Sequence, residues 1–307
     1  MIVQRHAVAV LVTWLGLGLL LGVVVWPYQL ISELGFVLQE RLWLQNQAPP
    51  WLGVSLVLGA ATLLLGLAWG PLAKGRGGGL KPVLALQCSG NTAPLDGLDL
   101  SVQLKRLVLM LLTHVAGLTV GVESPSAALG ASLLLALRRR WPHAQAWAAL
   151  PIPLVAAIGA GAGLGAAFRS PLLGAVYAVE ELSLEKGFSL VLPTLLLSGS
   201  GAILATTLGQ PARLEGVAFG ALPSSLWAWA MGITLVASAL GALFVRLLVP
   251  CAHWLASRLR HHRWPTALAV AALLSILAWF SGGLSLDRKS TRLNSRHSSV
   301  SRMPSSA

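Results

Sequence analysis

The sequence predicts an all-α polytopic membrane protein. Three observations carry this: apolar runs about as long as a bilayer is thick, a scarcity of charge, and glycine- and proline-broken stretches between the long runs. Of 307 residues, 55% are hydrophobic and 10% charged, whereas a soluble domain carries roughly a quarter charged residues. The mean hydropathy is +0.74. A membrane-crossing helix takes about 18 or more consecutive apolar residues, and residues 7–26, 51–69, 188–208, 226–249 and 264–280 approach or exceed that length.

The first run reads as a retained span rather than a signal peptide, because it is long and no small-residue cleavage site follows it. After the second run, basic residues collect in short clusters: Lys74, Arg76 and Lys81; Lys105 and Arg106; Arg138, Arg139 and Arg140; Arg258, Arg260 and Arg263. The formal charge of +12 therefore speaks of topology and not of nucleic acid. The clusters can all be threaded to the cytoplasmic side of the membrane, and Arg5 puts the N-terminus there too. The expected setting is a bacterial inner (plasma) membrane with the lipid bilayer as partner. Cys88 and Cys251 are too few for a disulfide framework and are expected as free thiols.

Residues 77–130 and 151–174 are apolar but interrupted by Gly, Pro and Ser. Such interruptions predict half-helices that stop inside the membrane, where freed backbone groups line a polar site; small residues also serve close helix packing. The loop KGRGGGLKP, residues 74–82, lacks the Walker spacing and a preceding strand, so it is read as a flexible cytoplasmic connection. Within the second broken stretch Gly159, Gly161, Gly163 and Gly165 recur too densely for packing alone. Glu123, in GVESPSAALG, stands among apolar and small residues with Arg106 and Arg138 as its nearest basic residues in sequence. An intramembrane acid is functional by default. The last 21 residues, 287–307, hold seven serines and five Lys or Arg and no apolar periodicity. They are expected to be a disordered or non-native tail. The run DRKSTRLNS resembles a translated sequencing adapter, which would make the chain a C-terminally truncated fragment.

Two stretches together go further. GAGAGLGAAFRSPLLGAVYAVEEL, residues 159–182, resembles the glycine-rich segment of the CLC family of chloride channels and proton/chloride exchangers, with Gly163, Leu164, Ala166, Ala167, Phe168, Pro171, Leu172, Gly174, Glu180 and Glu181 in step. Upstream, GVESP is similar to the family's G-R-E-G-P at Gly121, Glu123 and Pro125; Val122 and Ser124 depart from it. The family's first motif, G-S-G-I-P-E, is sought in QCSGNTAPLDG, where Ser89 and Gly90 keep a small-hydroxyl pair.

The resemblance implies an inverted-repeat fold with broken, re-entrant helices. Residues 1–286 would form a partial transmembrane domain, the first repeat covering about 7–208 and the start of a largely missing second repeat about 223–286. It implies transport of chloride or a similar anion coupled to proton antiport, a homodimer when full length, and neither cofactor nor metal. Glu123 would be the gate: ionised it competes with the anion, protonated it swings away. Glu181 would be the inner proton-transfer group, with Glu180 structural. Ser89, Gly90, Gly121, Val122, Ser124 and Pro125 would surround the anion, since helix N-termini offer N–H groups and partial positive charge.

A passive voltage- or pH-gated channel is the alternative, and the fragment alone is expected to lack a complete pathway. An intramembrane serine hydrolase, built on Gly199-Ser200-Gly201 with His253, is a weaker third reading, because small residues there explain themselves as packing. His114 reads as a hydrogen-bonded packing residue. His253, His261 and His262 lack the acids or cysteines of a metal site.

Overall fold

The computed structural model describes residues 2–39, 41, 49–89, 95–116, 118, 121–184, 186–208 and 226–280. Ten α-helices follow one another, and there is no strand among the described residues: α1 (Ile2–Gln39), α2 (Pro50–Ala68), α3 (Leu80–Ser89), α4 (Leu100–Val115), α5 (Glu123–Arg140), α6 (Ile152–Phe168), α7 (Pro171–Tyr177), α8 (Phe188–Thr207), α9 (Leu226–His261) and α10 (Arg263–Phe280). A π-helical turn, Ala178–Leu182, continues α7.

Segments with the length and composition of membrane spans are Val8–Gly35, Trp51–Ala68, Phe188–Thr207 and Leu226–His261. The first and last run well beyond the predicted 7–26 and 226–249, because both helices continue through a proline, Pro27 and Pro250. Neighbouring groups in a membrane helix can re-satisfy the backbone that proline frees. The broken stretches behave differently. At 1.5 Å per residue α3 is about 15 Å long and α7 about 10 Å, too short for a hydrocarbon core of about 30 Å. Proline starts several of these pieces, at Pro50, Pro153 and Pro171 within the first two helical positions, where a missing N–H removes no helical bond.

The chain forms two compact units, residues 1–213 with 274–307, and residues 214–273. In the first, α6 is the centre: every residue from Leu154 to Ala167 is buried. This is possible because its neighbours meet it backbone to backbone. A β-carbon built on Gly159 would lie 2.5 Å from the Gly130 carbonyl oxygen and 2.9 Å from the Ala131 α-carbon, so α5 and α6 cross at glycine. On the other side, a β-carbon on Gly161 would lie 2.8 Å from the Gly174 carbonyl oxygen of α7. The dense glycines of 159–165 are thus first a packing device.

A second small-residue seam joins α1 to α8. Ser200 donates to the Leu196 carbonyl at 2.8 Å, and a β-carbon on Gly22 would meet the Gly201 carbonyl at 2.8 Å. Ser200 therefore serves packing and its own helix backbone, as the bland reading of Gly199-Ser200-Gly201 expects. α1 is also tied across the unit, by Gln29 Nε2 donating to the Ala167 carbonyl at 2.9 Å and by Trp14 standing edge-on to Trp147, 6.0 Å between centroids. His114 is buried, with Nδ1 2.8 Å from the Met110 carbonyl and Nε2 3.4 Å from Ser32 Oγ. It is a packing histidine.

The second unit holds α9, none of whose described residues is buried. Large apolar side chains such as Trp229, Leu235 and Phe244 are exposed along it, a surface suited to hydrocarbon rather than water.

The glycine seam makes a direct prediction. Gly159→Val should destabilise the detergent-solubilised protein by at least about 1–3 kcal/mol, read as a fall in melting temperature. Gly59→Val is the control, since nothing lies within 4 Å of a β-carbon there. Equal melting of the two variants would refute the seam.

Candidate functional site

Residues 121–126 build the start of α5. Val122 is the cap residue and is fully buried. The Ser126 N–H donates to the Val122 carbonyl at 2.9 Å, the first helical bond. Pro125, buried at the third position, brings no N–H. The donors that α5 presents at its N-terminus are therefore the backbone amides of Val122, Glu123 and Ser124. Glu123 is half-buried, and its carboxylate folds back over this turn: a β-carbon on Gly121 would collide with it. Only glycine at 121 leaves room for that pose. The carboxylate thus lies at the positive end of its own helix. In the same turn the Ser126 hydroxyl is fully buried and makes no hydrogen bond among the described residues.

The structure brings a different partner to this turn than the sequence suggests. Ser89 is the last residue of α3, and Gly90 lies outside the described residues. Near that end, Gln87 Nε2 donates to the Pro153 carbonyl at 2.8 Å, at the start of α6. The turn at Glu123 belongs to the other end of α6, because Ser126 packs against Gly163. Ten residues of helix, about 15 Å, separate those two levels. Ser89 thus lies toward the Pro153 end of α6, away from the level of the Glu123 turn.

What meets GVESP is the loop at the other end of α3. A β-carbon on Gly78 would lie 2.9 Å from Ser124 Cβ, and one on Gly79 2.6 Å from Ala128 Cβ. Gly77 and Gly79 have φ of +82° and +86°, the left-handed region that favours glycine. So KGRGGGLKP is no loose connection. It leads α3 into the first turns of α5, and two helix N-termini converge. Gly77-Gly78-Gly79 directly precedes α3, which begins at Leu80. The signal in the sequence was that three glycines precede an apolar, proline-containing run.

Arg106 is the second residue whose place the sequence did not show. Read as a cytoplasmic charge, it is instead buried, at 4% exposure. Its Nε donates to the Gly77 carbonyl at 2.8 Å and its Nη1 to Gln103 Oε1.

Glu180 and Glu181 fall in the π-helical turn, both exposed. Ser126 of α5 packs on Gly163 and Ala178 on Gly161, each helix running antiparallel to α6. Counting three residues outward from each contact separates Glu123 and Glu181 by about 12 Å along α6. Glu181 lies nearer the end of α5 that carries Arg138, Arg139 and Arg140. There Arg139 pairs with Asp99 at 2.9 Å.

Comparison with known proteins follows the same lines. Curated proteins give no match. Among solved structures the chain is similar to the X-ray crystal structure of a slow cyanobacterial Cl−/H+ antiporter, at 24% identity and a TM-score of 0.68, over 92% of this chain and 64% of that one. The chain thus spans about two thirds of the length of that structure, and the likeness is one of fold. The family model of the voltage gated chloride channels matches residues 58–300, a stretch that includes the glycine loop, GVESP and the 159–182 segment and runs past Leu286. This integral, multi-pass membrane chain belongs to the voltage gated chloride channel family.

Proposed function

We propose that the protein moves chloride or a similar small anion across a membrane in exchange for protons. The observation that carries this is the meeting of two helix N-termini, α3 led in by Gly78 and α5 headed by Glu123, with the Glu123 carboxylate folded onto Gly121. A carboxylate at a helix N-terminus occupies the ground an anion would take. Ionised, Glu123 competes with the anion; protonated, it leaves the amides of Glu123 and Ser124 to receive it. The buried Ser126 hydroxyl is a further donor in that turn, and Gly78 stands where Ser89 was expected. Gly121, Val122, Ser124 and Pro125 contribute backbone and shape, since Val122 is apolar and Pro125 has no N–H.

Glu181, about 12 Å along α6 from Glu123, suits the role of the inner proton-transfer group. It lies toward the arginine-rich end of α5, which the positive-inside rule places at the cytoplasm. The N-terminus would share that side, in a bacterial inner membrane. The exchanger description of the structurally similar protein supports coupling over a passive channel. On the same reading residues 7–208 form one repeat of an inverted pair, residues from about 223 begin the other, and the working form is a homodimer.

In proteoliposomes of the full-length protein, Glu123→Ala should cut proton movement by about 100-fold or more while chloride flux continues. Coupling that survives the change would overturn the gate. Glu181→Gln should slow proton transport and spare chloride flux; equal loss of both would remove Glu181 from the proton route. Gly78→Val should depress chloride flux more than Ser89→Ala does, and the reverse order would restore the Ser89 assignment.

A further inference from the structure

Arg106 is an expensive residue to bury. A guanidinium stays charged under all ordinary conditions, and a buried charge without a counter-charge is costly unless hydrogen bonds replace its hydration. No carboxylate among the described residues pairs with it. It is held by neutral oxygens instead, the Gly77 carbonyl on the loop and Gln103 Oε1 one turn back on α4. Gln103 is itself fixed from three sides. Its Nε2 donates to Ser132 Oγ on α5 at 2.8 Å and to the Gly97 carbonyl at 3.4 Å, and its carbonyl accepts from the Tyr28 hydroxyl of α1 at 2.6 Å. The guanidinium also lies against the α-carbon of Gly79, where a β-carbon would stand 2.6 Å from Cζ.

A chain of hydrogen bonds thus runs from α1 through α4 to α5 and ends on the loop that leads α3 in. Nothing in it needs a positive charge: a neutral donor would serve the Gly77 carbonyl. The charge is kept although it faces only neutral acceptors, within one residue's reach of the Gly78–Ser124 contact. We propose that Arg106 is a positioning residue for the anion site, clamping the glycine loop against the first turns of α5 and lending that junction a fixed positive charge. This rests on the anion-transport reading and adds a residue to its site.

The test uses the whole chain in detergent, with chloride binding by calorimetry and hydrogen exchange of the 77–80 amides read on the same samples. Arg106→Lys keeps the charge but loses the planar fork. Exchange at 77–80 should rise while the α5–α6 core stays protected, and chloride affinity should fall a few-fold. Arg106→Met loses both, with affinity down roughly tenfold or more, equal to about 1.4 kcal/mol. If Arg106→Met does not fold, Gln103→Leu, which removes the Nη1 acceptor, should reproduce the exchange change. Lysine and methionine variants that melt lower but exchange and bind as the parent does would overturn the proposal, leaving Arg106 a purely structural residue. A parent chain that binds no chloride, while 77–80 still exchanges faster in Arg106→Lys, would sink the anion reading and the charge role but leave the clamp standing.

Discussion

The rest of the first unit depends on the crossing of α5, α6 and α7 at glycine. Helices in lipid gain little from hydrophobic burial against one another, because the surrounding acyl chains are as apolar as the side chains; they gain from close approach. Gly130, Gly159, Gly161 and Gly174 remove the side chains that would hold three backbones apart. With α6 buried from Leu154 to Ala167, its neighbours have a rigid axis to lie against. That rigidity matters because the pieces beside it, α3 and α7, are too short to anchor themselves across a membrane. Their positions are inherited from α6.

From this follows where polar groups can be kept. The start of α5 is fixed by Ser126 on Gly163, so the Glu123 carboxylate and the first amides of α5 are held at one level of the bundle. The loop before α3 reaches the same level only by taking two left-handed glycines, at 77 and 79. A side chain at 77 would face a disfavoured backbone, and one at 79 would face both that and the Arg106 guanidinium and Ala128 methyl. Backbone geometry, side-chain size and charge are therefore not separate constraints at this junction. At Gly79 the glycine that allows the loop to turn also allows the arginine to approach.

Much of this was legible in the sequence, and what was not has physical causes. The long apolar runs, the broken stretches and the family resemblance of 159–182 and GVESP all led to the fold, because length, hydropathy and dense glycine are local properties. Glu123 could be singled out because an acid among apolar residues is conspicuous. The α3 junction could not. Ser89-Gly90 kept a hydroxyl and looked like the family pair, whereas Gly77-Gly78-Gly79 looked like slack. Only the direction of α3, with Gln87 on Pro153 at one end and Gly78 on Ser124 at the other, tells which end faces the site. Arg106 was hidden for a related reason. Beside Lys105 it looked like half of a surface charge cluster, and α4 turns one of the two inward.

The placement of the two glutamates gives the clearest step from fold to mechanism. Glu123 is half-buried at a helix start, and Glu181 is exposed in a π-helical turn about 12 Å along α6 from it. An ion drawn to helix N-termini has reason to visit the first position. The second offers an exposed carboxylate but not the convergent helix ends of the first. A proton passing between the two acids must therefore cover ground that the anion's attraction to amides does not define. If exchange runs as proposed, its two paths coincide at Glu123 and part before Glu181. On that proposal the convergence of α3 and α5 would be the common point, and the length of α6 between Gly163 and Gly161 and their flanking turns would set the separation.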